Sequence, residues 1–190
     1  MLGKPRTAVT TFDRLSLRSS MVYHLTYHHS LALHINHLVF LNTYLFGVWL
    51  LLSAVHPVCC WVAISGYTLY SLRVAGWALG LPFGLLQGAS GYGAIAVHAG
   101  ALVAWRWTTY EVAGLGFSLV IGSFLAQLAG HAASEAFVAP PHLFHGLVAA
   151  PLLEWVSLGF RLGALPVLRQ EVGTEVAAAR SAATALLSPP

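Results

Sequence analysis

The chain has 190 residues, of which 57% are hydrophobic and only 8% are charged, and its mean hydropathy is +0.73. A small soluble domain cannot bury that much apolar surface, so the composition excludes an ordinary soluble protein and indicates an integral membrane protein. The net charge of +3 comes from few and scattered basic residues, which excludes a nucleic-acid-binding surface.

The N-terminal segment is polar and basic, and it precedes the first apolar run. It contains Lys4, Arg6, Arg14 and Arg18. Because it has neither the apolar region nor the small-residue cleavage site of a signal peptide, we do not interpret it as one. The positive-inside rule then places the N-terminus in the cytoplasm.

The next part of the chain predicts two helices and a longer apolar stretch. Residues 20–29 are polar and aromatic, which suits a short helix on the membrane surface. Ser30 is placed to cap a helix over 31–55, and Pro57 marks its far end. The stretch 58–86 is apolar but interrupted by glycines, so it is one long span or two shorter pieces.

The second half of the chain continues the same pattern. Residues 87–93, which read Gln-Gly-Ala-Ser-Gly-Tyr-Gly, predict a loop. Further apolar runs follow at 94–107, 112–128 and 143–162. The predicted fold class is therefore all-α: an integral membrane helical bundle with about 4–6 transmembrane helices and a short N-terminal surface helix.

Histidines cluster at the ends of two apolar runs. Five of the ten histidines fall between His24 and His37, and three fall between His131 and His145. Ionisable groups at the edge of a membrane segment are functional candidates, because a buried imidazole needs a hydrogen bond or a metal. If the N-terminus is cytoplasmic and 58–86 crosses the membrane once, the fourth apolar run, 112–128, ends on the cytoplasmic side. The two histidine clusters can then form one metal site.

The spacing of the first cluster requires a break in the chain. His28 and His37 are nine residues apart, which is an offset of about 180° on a straight helix. A break at Ser30 lets both side chains point inward. In the second cluster, His131 and Glu135 share a helix face.

These residues predict a metal centre. We predict His28, His37 and His131 as metal ligands, and Glu135 as a ligand or as a partner that orients a histidine. Other residues either bind the metal or support its ligands: His24, His29, His34, Gln127 and Glu154. Nitrogen and oxygen ligands with open positions suit non-haem Fe(II), but zinc binds similar ligands, so spacing alone does not select the metal. The substrate-binding residues are unknown.

The same residues resemble the motifs of a known family. Tyr27-His28-His29 followed by His37 resembles the Y-H-x8-H motif of the membrane-bound 2-hydroxy fatty acid dioxygenases. The segment 124–131, Phe-Leu-Ala-Gln-Leu-Ala-Gly-His, followed by Glu135, is similar to that family's second motif, although Phe124 replaces the usual Trp. The segment 149–155, which contains Glu154, resembles the later L-A-P-L-F-x-W-L-E stretch.

The resemblance covers about residues 10–165 and implies an activity. The family's iron(II) enzymes use O₂ to shorten 2-hydroxy fatty acids by one carbon, the fatty acid α-oxidation reaction of lipid metabolism. It therefore implies an oxidoreductase with Fe(II) as cofactor, a 2-hydroxy fatty acid and O₂ as substrates, and an acyl chain held among the spans. The expected location is the endoplasmic reticulum membrane if the organism is eukaryotic. We accordingly divide the chain into a basic N-terminal segment (1–19), a membrane catalytic domain (20–168) and an alanine-rich C-terminal tail (169–190).

Two other functions are compatible with the histidines. A membrane di-iron fatty acid desaturase or hydroxylase uses about eight histidines in compact boxes, and His24-x-x-x-His28-His29 and His34-x-x-His37 resemble such boxes. The later cluster lacks a second His-His pair. A non-enzymatic metal or proton transporter would place histidines through the membrane midplane, whereas these lie at segment ends. The lipid bilayer is an expected partner in every case, and protein partners are unknown.

Overall fold

The computed structural model describes residues 12–28, 30–134 and 144–187. These residues form α-helices joined by short turns, and no strand occurs among them. The helices are α1 (Leu17–Tyr27), α2 (Leu31–Val55), α3 (Pro57–Ala75), α4 (Leu81–Ala104), α5 (Thr109–Ser134), α6 (Ala150–Arg161) and α7 (Pro166–Leu187). Two π-helical turns, Gly76–Gly80 and His145–Ala149, precede α4 and α6. The all-α prediction is confirmed for the described part of the chain.

Three helical segments of the described residues are long and apolar enough to cross a membrane. They are Leu31–Val55, Pro57–Ala104 and Thr109–Ser134. A fourth would be counted if the pair His145–Arg161 and Pro166–Ala182, which is bent by 110°, formed one span. These lengths and compositions are those of a membrane-associated protein.

The predicted break between the first two helices is confirmed. The first helix ends at Tyr27, and the next begins at Leu31. The Ser30 hydroxyl accepts a hydrogen bond from the Leu33 backbone N–H at 3.1 Å, as expected of a residue that caps a helix N-terminus. His28 therefore lies at the end of α1, and the histidines of α2 have an independent register.

The chain divides into two compact units, and the second of them comprises Asn36–Ala129. Within it, α3 and α4 are antiparallel, since Gly84 lies against Thr68 and Gly91 against Ile64. The chain reverses at Gly76, whose φ of 67° favours glycine. The stretch predicted as one span or two is thus a helix, a turn and the beginning of a second helix.

The predicted loop at 87–93 is wrong, because these residues lie inside α4. Gln87 is buried and accepts a hydrogen bond from Trp49 Nε1 at 3.2 Å, while its amide donates to Asn42 Oδ1 at 3.3 Å. Gly91 lets the end of the Ile64 side chain pack against the helix, since a Cβ there would lie 1.9 Å from Ile64 Cδ1. Of the three glycines in this segment, Gly91 makes a close helix contact, whereas a Cβ at Gly88 would meet nothing within 4 Å.

The first unit comprises Met1–Ile35 and Gly130–Pro190. Its described core includes Met21 on α1 and Leu152 and Leu153 on α6, all fully buried. The helix α7 packs on α1, where Arg18 forms ion pairs with Glu171 and Glu175. The predicted boundary between residues 168 and 169 lies within α7.

Candidate metal centre

The first helix carries two of the predicted residues on its buried side. His24 and His28 are four positions apart, and their ring centroids lie 4.5 Å from each other. Both side chains are buried. His28 ends the helix in an extended conformation, and its backbone N–H donates to the His24 carbonyl at 2.9 Å. The end of α1 thus presents two imidazoles to the interior of the first unit.

A glutamate on α6 joins two histidines from different helices. Glu154 is only 1% exposed. One of its carboxylate oxygens lies 3.0 Å from His24 Nε2, and the other lies 2.6 Å from His34 Nδ1. His34 is in the first turn of α2, which the break at Ser30 orients independently of α1. Three elements that are distant in sequence therefore converge on one carboxylate.

A further histidine completes this group. His145 opens the π-helical turn before α6, and its Nε2 lies 3.2 Å from His24 Nδ1. Its ring also packs on Tyr23, with centroids 4.9 Å apart. Burial and, to a smaller extent, the nearby Tyr27 together raise the pKa of Tyr23 to about 12. The Tyr23 phenol is consequently protonated at neutral pH.

His28 and His131 also meet within the first unit. Their ring centroids are 4.8 Å apart in an edge-to-face arrangement. His131 lies in the last turn of α5, which extends beyond the predicted apolar run to Ser134. The structure thus brings together two of the three histidines predicted as ligands.

The remaining predicted residues are placed as follows. His37 is buried and lies one turn after His34 on α2, in the second unit. Gln127 is on α5, one turn before His131, and also belongs to the second unit. His29 and Glu135 lie outside the described residues. The ligand roles of these four residues stay predictions from the sequence.

The donor set suits a metal ion. Two groups of side chains among the described residues bring possible ligand atoms close to one another. In the group formed by His24, His34 and Glu154, these atoms lie within 4.8 Å of one another, and all three side chains are buried. Two imidazoles and a carboxylate are the ligands that non-haem iron binds in many oxygenases, and zinc binds them too. The buried histidine and glutamate side chains therefore fit a metal, and the donor set alone leaves its identity open.

Sequence reasoning did not select His145. This residue follows Pro140-Pro141 in the sequence, and a proline pair predicts a break in any helical register. The π-helical turn then shifts the register again before α6 begins at Ala150. The only sequence signal was its position in the second histidine cluster.

Comparison with known proteins does not identify the chain. No protein-family model matches it, and no curated protein and no solved structure does so either.

Proposed function

We propose that the protein is an Fe(II)-dependent membrane dioxygenase that shortens 2-hydroxy fatty acids by one carbon. The observation that carries this proposal is the contact of the buried His28 with the half-buried His131, beside His24 and His34, which share the carboxylate of Glu154. His28 and His131 are the histidines of the two motifs that resemble the dioxygenase family. His37 completes the ligand set predicted from the sequence.

The balance of atoms defines the proposed reaction. The bond between C1 and C2 of the 2-hydroxy acid breaks, C2 is oxidised to a new carboxyl group, and C1 leaves as CO₂. O₂ is the oxidant and is reduced to the level of water, so one acid and one O₂ give the shortened acid, CO₂ and H₂O. Bound iron would supply the activation of O₂ and of the hydroxy acid.

The protein's own groups would position the reactants and exclude water. Glu154 holds the His24 and His34 rings through one oxygen each, which fixes their orientation. Burial of these residues lowers the local dielectric and limits access of water to reactive species. The apolar helices α2 to α5 would give a fatty acid a hydrocarbon environment.

The proposed location is a membrane in which α2, α3, α4 and α5 each cross once. His28 precedes α2 and His131 lies at the end of α5, yet their rings are only 4.8 Å apart. This proximity supports an even number of crossings between them, and we take the antiparallel α3 and α4 as two of four. Single cysteines replacing Arg14 and Ala133 should both be labelled from the cytoplasmic side; labelling from opposite sides would overturn this topology.

A comparison of related acids tests the proposed activity. Fe(II)-loaded protein should consume O₂ with 2-hydroxypalmitate but not with palmitate or 3-hydroxypalmitate. A site built to bind a hydroxyl discriminates against the analogue lacking it by up to about 10⁴–10⁵-fold, whereas one methylene changes rates by only about 10–200-fold. Equal O₂ consumption with palmitate and 2-hydroxypalmitate would refute the proposal.

A di-iron desaturase or hydroxylase is the second candidate. The specific observation in its favour is the second group, His24, His34 and Glu154, beside the His28–His131 pair. Two neighbouring metal-binding groups mean that the number of metal ions per chain does not separate the two functions. The products do: a desaturase or hydroxylase retains every carbon of its substrate, whereas the dioxygenase removes one.

A further inference from the structure

The carboxylate of Glu154 requires a positive counter-charge. It is buried on α6, and the partners that the described residues give it are the imidazoles of His24 and His34. No lysine or arginine of the described chain forms an ion pair with it. A carboxylate removed from water is stable only if it is paired with a cation or coordinates a metal. If the Glu154 carboxylate is ionised, its positive partner is a proton on an imidazole or a bound metal ion.

The tautomer of His24 links this charge to His145. A neutral imidazole has one N–H, and His24 uses both ring nitrogens: Nδ1 faces His145 Nε2 at 3.2 Å, and Nε2 faces a Glu154 oxygen at 3.0 Å. If Nδ1–H donates to His145, Nε2 presents a lone pair to the carboxylate. Two lone pairs at that distance repel each other unless a cation lies between them.

This arrangement is the one that metal-binding histidines adopt. A histidine that coordinates through one nitrogen usually donates its other N–H to a neighbouring acceptor. His145 Nε2 lies 3.2 Å from His24 Nδ1, at a distance that suits this role. Two ligands about 2.0–2.1 Å from one ion are about 2.8–3.4 Å apart at octahedral or tetrahedral angles. The 3.0 Å between His24 and Glu154 lies in this range, and the 2.6 Å between His34 and Glu154 requires only a small ring displacement.

We propose that His24, His34 and Glu154 bind a second divalent first-row metal ion, separate from any ion that His28 and His131 hold. His145 supports this site by accepting the Nδ1–H of His24. Two imidazoles and one carboxylate leave positions open for water or another small ligand. This inference goes beyond the proposed function, and it holds whether or not the protein oxidises a fatty acid.

Metal counting on the intact protein in detergent tests the inference. Purified chain is stripped with a chelator, titrated with Co(II), and analysed for bound cobalt per chain after desalting. Wild type should bind two ions. Glu154→Gln should bind one, because glutamine keeps hydrogen-bonding groups beside both imidazoles but loses the charge that a divalent ion requires. The affinity for the lost ion should fall by more than about 100-fold, since loss of a supporting partner alone costs about 10–100-fold.

Control variants separate this site from general damage. Glu111→Gln alters an exposed glutamate that hydrogen-bonds to Thr108, and it should leave both ions bound. The double variant His28→Ala/His131→Ala should still bind one ion, which must then be held at the second site. This variant tests the inference even if Glu154→Gln fails to fold.

Two results would overturn the inference. One is binding of a single ion by wild type with no ion retained by His28→Ala/His131→Ala. The other is binding of two ions by a folded Glu154→Gln protein, which would make Glu154 a residue that only orients the imidazoles. Absence of 2-hydroxypalmitate turnover would refute the proposed function but would not change the cobalt counts.

Discussion

The contact between α2 and α5 in the second unit leaves no space for a side chain at Gly116. A Cβ there would lie 3.0 Å from the Gly47 carbonyl oxygen, 3.0 Å from Leu51 Cγ and 3.1 Å from the Leu51 backbone nitrogen. Two of these three neighbours are backbone atoms, which cannot move unless the helix moves. Small residues allow such close approach between membrane helices, where dispersion and packing drive association.

Gly116→Ala is therefore expected to destabilise the protein, and Gly114→Ala provides the matched control. Gly114 lies on the same helix, and a Cβ there would have nothing within 4 Å. Both changes gain roughly 0.8–1 kcal/mol of helix propensity, which cancels in the comparison. The difference between the variants then isolates overpacking, which typically costs about 1–3 kcal/mol.

Reversible unfolding in detergent, followed by circular dichroism, measures this difference. The free energy of unfolding of Gly116→Ala should be lower than that of Gly114→Ala by the overpacking energy of about 1–3 kcal/mol. Gly47→Ala should be at least as damaging as Gly116→Ala, since its Cβ would lie 2.8 Å from the Gly116 carbonyl oxygen. Equal stability of Gly116→Ala and Gly114→Ala would refute the close contact.

Three further predictions concern the metal centre and the local structure around it. His28→Ala and His131→Ala should each abolish activity and lower the amount of bound iron, whereas His56→Ala, at an exposed helix cap, should do neither. Equal loss of activity and iron in His56→Ala would show that the ligand choice is wrong. Gly163→Ala should lower the free energy of unfolding by about 1 kcal/mol or more, because Gly163 has a φ of 90°. Gly173→Ala within α7 is the control, and thermal unfolding should show it to be neutral or stabilising. Ser30→Ala should lower the free energy of unfolding by about 1 kcal/mol, because it removes the N-terminal cap of α2. An unchanged free energy of unfolding would argue against that cap.

Local signals in the sequence predicted the helix boundaries near the site. Ser30 followed by an apolar run is a capping pattern, and the spacing of His28 and His37 required a break at the same place. Both features act over one or two helical turns, so a single sequence is enough to read them.

Glycines were harder to interpret, because one residue type has two roles. Gly76 reverses the chain with a positive φ, whereas Gly91 remains helical and lets Ile64 approach. A glycine-rich segment such as 87–93 therefore predicts a loop even when it is helical and only one of its glycines, Gly91, packs closely on a neighbouring helix. Which of the two roles a glycine has can be recognised only from the packing of α3 on α4.

The membership of the candidate site was predictable only in part. Clustering selected His24 and His34, and its place in an apolar run selected Glu154, as residues that bind or support a metal, but not as a group. Their convergence depends on where α6 lies, which a long-range contact determines rather than a local pattern. His145 depends in addition on the π-helical turn before α6, which has no simple sequence signature.

Carbon-labelled substrate tests the central claim most directly. Fe(II)-loaded protein is incubated aerobically with 2-hydroxypalmitate labelled with ¹³C at C1, and the gas and the fatty acids are analysed by mass spectrometry. The proposed function predicts labelled CO₂ and unlabelled pentadecanoate in equal amounts, with one O₂ consumed for each, and neither product from His28→Ala. Products that retain the labelled carbon, or no products at all from iron-loaded wild type, would contradict the account.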